Sequence, residues 1–462
     1  MAKYEKVKIA IIGAGSVSFC PCTINDILLS PTLAEVPLEI CLMDIREEAL
    51  PPAVAYAKAS AAHLNRTPQI TATTVLEESL KGADFVITAI EIDRLYYWSQ
   101  DLHIFRKYGF RTIFGENGGP GSMFHTLRNI PPLLHIARTM EKLCPDAWLL
   151  NFTNPEAKLV ETILKLTKIK TVGLCHGTIM GLDQVANMLE MDQDDIDCTA
   201  CGLNHFGWFQ SLTHKKTGQD LYPELKDRER RMNWVTEWDS WALTRIMLRT
   251  YGLLPYPGTS HVGEYISWAD EFAPYTKSMY FYDPASENPW ARKVAPHSDF
   301  TFEESGGEPP RYPVDGKTFE EMDFNPAFEF EPHQVEPSGE VSVHIIDAIV
   351  SGNRAEIVSV NMMNNGLIPN LPPDMVIEVS AYADEHGVHG KQMNPLPEAI
   401  AAMIRTQASI HQLVIDAYVN KSRNCLLQAV LLDPTVSNYY NAVCAINEMC
   451  DLQKDILPEL EW

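Results

Sequence analysis

The chain has 462 residues, 45% of them apolar and 21% charged, the profile of a globular chain with a full core and room for two domains. A formal net charge of −24 with no basic stripe excludes a nucleic-acid partner on electrostatic grounds. No run approaches the length of a membrane span and the N-terminal residues lack the apolar stretch of a signal peptide, so a cytoplasmic protein with no membrane association is expected. Ten cysteines without a disulfide rhythm read as mostly buried free thiols.

The first predicted strand, Val7–Ile12, turns on Gly13-Ala14-Gly15-Ser16 into a predicted helix. Gly13 and Gly15 allow the tight turn and close backbone approach that a pyrophosphate needs, with Ser16 beside them. Ser18 stands where a third glycine is usual. The second strand, Leu38–Met43, closes on Asp44, a carboxylate suited to ribose hydroxyls and therefore to NAD+ over NADP+, although Arg46 nearby softens that preference. A flavin or another nucleotide on the same loop is the alternative.

Further strands are predicted at Gln69–Thr73, 85–90, Trp148–Asn151 and 171–174, with helices at 51–64 and 130–142 among them. Apolar strands alternating with helices predict a parallel sheet covered on both faces, with ligands beyond the carboxyl ends of the strands. The glycine-rich turn from Gly109 to Ser122 carries Glu116, either a general acid or a solvated loop carboxylate. Asn151-Phe152-Thr153-Asn154-Pro155 ends a strand with two carboxamides, suited to sugar hydroxyls or to capping the turn. Cys175 follows the next strand and His205 follows Cys198-Thr199-Ala200-Cys201-Gly202. One thiolate and one imidazole leave a divalent ion open positions for catalysis, whereas a buried thiol and a core histidine are the plain alternative. Cys198 and Cys201 read as strand residues, one of them on a bend. Beyond residue 195 the alternation weakens. Helices are expected at 228–251, 396–420 and 438–452, and 283–340 is compositionally unusual. The expected organisation is a nucleotide-binding domain over 1–195 and a mixed α+β domain over 196–462.

Together these motifs resemble glycoside hydrolase family 4, with Asn361, Asn364-Asn365-Gly366-Leu367-Ile368-Pro369 and Val376-Ile377-Glu378-Val379 extending the match to about residue 455. The resemblance implies an α/β fold, a Rossmann-type doubly wound parallel sheet of the lactate/malate dehydrogenase kind, with a C-terminal mixed α+β domain. It implies an NAD+- and Mn2+-dependent glycosidase, outside the usual two-carboxylate scheme. In that family NAD+ takes hydride from C3 of the sugar, the metal stabilises the enediolate formed on loss of the C2 proton, the aglycone leaves, and the hydride returns. Carried over, Gly13, Gly15, Ser16 and Asp44 bind the dinucleotide and Cys175 and His205 ligate the metal. Glu116 protonates the aglycone, and Asn154, with Asn151 and His176, contacts the substrate. The base is expected to be Tyr265, with His261 second, as base or additional ligand. Cys175-His176-Gly177-Thr178 resembles the branch acting on α-glucuronides or α-galacturonides, with neutral α-glucosides and α-galactosides next. A small-molecule glycoside is the expected partner and a homodimer or homotetramer the expected assembly. A plain NAD-dependent hydroxy-acid or sugar dehydrogenase is the rival reading.

Overall fold

The computed structural model describes residues 4–232, 241–275, 278–280, 297–299 and 335–462. Six strands form the first half of the sheet: β1 (Val7–Ile12), β2 (Leu38–Met43), β3 (Gln69–Thr73), β4 (Phe85–Thr88), β5 (Trp148–Asn151) and β6 (Lys170–Gly173). They lie in the order β3-β2-β1-β4-β5-β6, and every neighbouring pair is parallel. This is the doubly wound arrangement expected from the sequence. Its topological switch falls between β1 and β4, where the glycine loop leaves the sheet.

The apolar strands are covered on both faces, which is why they read as continuous runs rather than alternating ones. Helices Cys20–Leu29, Leu50–His63 and Ser342–Ser351 pack on one face through Ile24, Ala57 and Ile346. Gly121–Leu143 and Glu156–Leu166 cover the other through Ile130, Leu134, Ala137, Leu159 and Ile163. Each leucine or isoleucine among them removed from water contributes roughly 1.5–3 kcal/mol, and each alanine less.

The remaining strands are β7 (Ile196–Leu203), β8 (Phe206–His214), β9 (Pro255–Tyr256), β10 (Ser278–Tyr280), β11 (His297–Asp299), β12 (Ala355–Met363), β13 (Val376–Asp384) and β14 (Gly387–Gly390). Past β6 the sheet continues as β12-β13-β7-β8-β9, all antiparallel, while β10 and β11 pair separately. The expected division at 195/196 is therefore not a break in the sheet. Two strands from the far half of the chain join β6 to β7. Cys198 and Cys201 both lie in β7, and the register shifts between Thr199 and Ala200, where Gln210 of β8 is the extra residue.

Two expected helices differ. The 130–142 helix begins nine residues earlier in the observed Gly121–Leu143, accommodating Pro131 and Pro132 inside it. The single helix expected over 228–251 is two, Tyr222–Arg231 and Ala242–Tyr251, with 233–240 outside the described residues. Most of 283–340 also lies outside them. The C-terminal helices Glu398–Val419, Arg423–Leu432 and Tyr439–Leu452 pack back onto Phe105, Phe124 and Leu127. Among the described residues no helix is long and apolar enough to cross a membrane.

Candidate active site

The glycine loop is shaped by its own backbone. Gly13 has φ +92°, and a Cβ there would lie 2.2 Å from the Ala89 carbonyl oxygen, so only glycine fits. The N–H groups of Gly13 and Ala14 donate to the Met43 carbonyl at 2.9 and 3.0 Å, pinning the loop to the end of β2. Asp44 accepts from the Gly15 N–H at 2.7 Å and from the Arg46 N–H at 3.0 Å. A Cβ at Gly15 would lie 2.8 Å from that carboxylate. Ser16 accepts from the Phe19 N–H at 3.2 Å, and the helix starts only at Cys20. The four residues expected at a dinucleotide thus lie together at the switch point.

The second site assembles around Glu116. Its loop is set by left-handed glycines, Gly115 at φ +75° and Gly119 at φ +72°. Arg94 pairs with the Glu116 carboxylate. The Asn154 amide donates to it at 3.5 Å, and His205 Nδ1 lies 3.9 Å from it. The His205 and His261 rings meet edge to face with centroids 4.4 Å apart. Glu116, His205 and His261 each bring one donor atom within 4.8 Å of the others.

Electrostatics favour a cation there. Burial pushes the Glu116 carboxyl up, but Arg94 and three neighbouring histidines outweigh it and hold it below the ordinary range, as a carboxylate. Burial draws both His205 and His261 down to about 4, so both rings are neutral near pH 7, the form that ligates metals. One carboxylate and two neutral imidazoles suit a borderline divalent ion. Cys175 is not among the three converging donors. It accepts from the Gly177 N–H at 3.4 Å, and burial raises its thiol.

The other expected residues divide between cleft and scaffold. Asn154 reaches Glu116. Asn151 is fully buried and committed to its turn, accepting from Thr88 at 2.9 Å and donating to the Thr153 carbonyl at 3.0 Å. That geometry is the capping alternative rather than a group open to substrate. His176 is half-exposed, with Nδ1 3.3 Å from Glu340. Tyr265 stacks on Phe206 and donates to the Asn204 carbonyl at 3.2 Å. Burial and then the charges of Glu264 and Glu116 drive its hydroxyl well above its ordinary range, so a base at this position needs a cation beside it.

Four contributors escaped the sequence reading. Arg94 supplies the countercharge to Glu116. Glu264, fully buried, accepts the backbone N–H groups of Glu116 and Asn117. Burial and the Glu116 charge push the Glu264 carboxyl up to about 8. Asn117 donates to His205 Nδ1 at 3.0 Å, accepts the Glu156 N–H at 3.0 Å, and its carbonyl takes Lys158. His125 joins the Glu116 carbonyl at 3.0 Å to Glu91 at 2.7 Å, in the segment leaving β4. That segment touches Gly13 through Ala89, so it ties the glycine loop to the carboxylate–imidazole cluster. Adjacency was the available signal: Asn117 follows Glu116 and Glu264 precedes Tyr265.

Comparison with known proteins adds the lineage. Residues 8–191 match the Family 4 glycosyl hydrolase profile and residues 200–436 its C-terminal domain. An α-glucosidase of Erwinia rhapontici is 31% identical over 94% of this chain and 95% of its own length. An α-galactosidase of Bacillus subtilis (strain 168) is 31% identical over 98% and 99%. An α-galacturonidase of Thermoanaerobacter italicus is 27% identical over 98% of both. In structure, a 6-phospho-α-glucosidase from gut microorganisms, solved with NAD and Mn2+, superposes with a TM-score of 0.72 at 21% identity, covering 99% of this chain and 100% of its own. The malate dehydrogenase of Cryptosporidium parvum superposes with a TM-score of 0.52 at 12% identity, over 90% of this chain and 99% of its own. With both profiles matched in order along most of its length, the chain belongs to the family 4 glycosyl hydrolases.

Proposed function

We propose that this glycosyl hydrolase is an NAD+- and divalent-metal-dependent α-glycosidase acting on an α-linked hexuronide, a glucuronide or galacturonide. The observation that carries the metal-dependent reading is the convergence of Glu116, His205 and His261 beside the glycine loop's own supporting segment. Gly13, Gly15, Ser16 and Asp44 would hold the dinucleotide. His205, with His261 and Glu116 or with Cys175, would hold a Mn2+-like ion. When bound, the dinucleotide accepts and returns a hydride at sugar C3 while the ion acidifies the C2 proton.

The remaining steps belong to side chains. Asn154 orients the sugar from beside Glu116. Tyr265 removes the C2 proton, its hydroxyl held by the Asn204 carbonyl. Where Cys175 rather than Glu116 completes the metal set with His205, Glu116 is free to deliver a proton to the aglycone oxygen once Arg94 no longer holds it ionised. A substrate carboxylate would supply that release, because a guanidinium carries five donors and Arg94 is half-exposed while the Glu116 it pairs with is buried. The anion would draw Arg94 away, so that Glu116 takes up a proton from water before passing it to the aglycone oxygen. This coupling, together with Cys175-His176-Gly177-Thr178, favours the uronide. Neutral α-glucosides and α-galactosides form the second reading, supported by the names of the two relatives at 31% identity. Assembly as a homodimer or homotetramer draws support from Leu431, Leu432, Tyr439 and Tyr440, exposed where two C-terminal helices adjoin.

The test is turnover of a p-nitrophenyl α-glycoside panel with NAD+, Mn2+ and a reductant. Nitrophenol release from the glucuronide or galacturonide without net NADH is expected, and steady NADH production would instead mark a dehydrogenase. Arg94→Met should lose the uronide more than the glucoside. Tyr265→Phe should slow C2 proton exchange, and unchanged exchange would move the base elsewhere. Cys175→Ser should weaken metal dependence while sparing NAD+ binding.

A further inference from the structure

Beneath the cleft the sheet carries a row of polar groups that neither the cofactor loop nor the Glu116 cluster uses. Asn361 in β12 stands between Gly173 of β6 and Glu378 of β13. Residues paired across strands share a face. Gly173 leaves its side-chain place open, and the Glu156 carboxylate occupies it: a Cβ at Gly173 would lie 1.1 Å from Glu156 Oε1. Two carboxyls therefore flank one carboxamide on one face of the sheet.

All three side chains are sealed from solvent, none more than 1% exposed. Both oxygens of Glu156, both ends of the Asn361 amide and Oε2 of Glu378 have no hydrogen-bond partner. Glu378 Oε1 accepts from Ser359 at 3.1 Å and Thr178 at 3.3 Å, and the Tyr256 hydroxyl acts on the same carboxyl. Each unpaired buried polar atom costs roughly 1–3 kcal/mol, so the three groups together call for a shared partner. Among the described residues no Lys, Arg or His acts on either carboxyl. Burial raises Glu378 to about 7, and burial followed by the Glu378 charge raises Glu156 well above its ordinary range, as expected of a pair without a countercharge.

We propose that Glu156, Asn361 and Glu378 form a second, buried cation site made of oxygen donors alone and suited to a hard divalent ion of calcium size. Two carboxylates balance a divalent charge, and an all-oxygen set with Ser359 and Thr178 at its edge suits a hard ion. The ion would join the start of the Glu156–Leu166 helix to β6, β12 and β13, bracing the floor that carries Cys175. This site does not depend on which sugar the enzyme cleaves.

The experiment strips the full-length protein with a chelator, dialyses it against Ca2+ with and without Mn2+, and measures bound metal and Tm. About one Ca2+ per chain is expected, retained in His205→Ala and raising Tm. Glu378→Gln should weaken Ca2+ binding by more than about 100-fold, beyond the loss typical of outer-shell partners. Should Glu378→Gln fail to fold, Asn361→Leu, checked by circular dichroism, carries the same expectation. The site is overturned if stripped protein takes up no Ca2+, if Ca2+ is lost in His205→Ala but kept in Glu378→Gln, or if a crystal grown in Ca2+ shows only water between the three residues.

Discussion

The glycine loop and the Glu116 cluster both sit where strands of the parallel half end, but they are built differently. In the loop, Gly13, Gly15 and Asp44 come from two adjacent βα turns and are held by backbone contacts at β1 and β2. In the cluster, Glu116, His205 and His261 come from three separate segments, two of them in the antiparallel half, and are held through side chains such as Asn117 and Glu264. Backbone-built sites tolerate side-chain change around them but not at their glycines. Side-chain-built sites fail one ligand at a time and leave the fold standing.

That contrast can be broken at the cluster first. His205→Ala should bring turnover to background and weaken Mn2+ binding by more than about 100-fold, with Tm nearly unchanged in metal-free protein. Mn2+ titration by paramagnetic resonance reads this directly, and undiminished affinity would remove His205 from the ligand set. Next in size, Gly13→Ala should destabilise the chain by roughly 2–4 kcal/mol, because the new Cβ meets backbone at a left-handed residue. Chemical denaturation checks it; a loss under about 0.5 kcal/mol would contradict the tight packing against Ala89. Gly15→Ala meets only the side chains of Arg46, Asp44 and Ala49, so it should mainly cost dinucleotide affinity.

A smaller effect sharpens the role of the supporting groups. Asn117→Ala should reduce Mn2+ affinity by about 10–100-fold while folding survives, since Asn117 orients His205 without joining the cluster. Equal affinity in mutant and parent would make it a loop brace only. The smallest effect lies away from the cleft, at Asp433. Burial pushes this carboxyl up to about 6, against its hydrogen bonds from Thr435. The native chain therefore keeps a proton that the unfolded chain releases near pH 4. Stability should fall as pH rises from about 4 to about 6, by on the order of 2 kcal/mol. Asp433→Asn should flatten that slope, and parallel pH profiles for the two proteins would show the carboxyl to be unperturbed.

The parallel half was the more legible. Val7–Ile12, Leu38–Met43 and Trp148–Asn151 fall where the apolar runs predict them, because strands buried on both faces write their bounds as unbroken hydrophobicity, and the edge strand Gln69–Thr73, exposed or half-buried throughout, also falls where it is expected. The antiparallel half was less so. Nothing local in Ala355–Met363 indicates that it pairs with β6 and thereby sets Asn361 beside Gly173. The long helix expected over 228–251 failed because a helical period extends through residues that end one helix and begin another. Asn151 and Asn154 looked equivalent in sequence, yet one locks a turn and the other reaches Glu116. Three residues of chain were enough to reverse the surroundings.

By itself the sequence determined what depends on neighbours along the chain: the strand–helix alternation, the glycines at the first turn, the acid closing the second strand, and a family resemblance carried by ordered motifs. Only the tertiary structure decided which distant side chains meet. It brought His261 rather than Cys175 into the three-donor group, gave Glu116 its arginine, and left Glu156 and Glu378 facing one buried amide. The physical reason is range. Backbone conformation answers to the nearest few residues, whereas the charge and burial that set a carboxyl's behaviour answer to whatever folding places beside it.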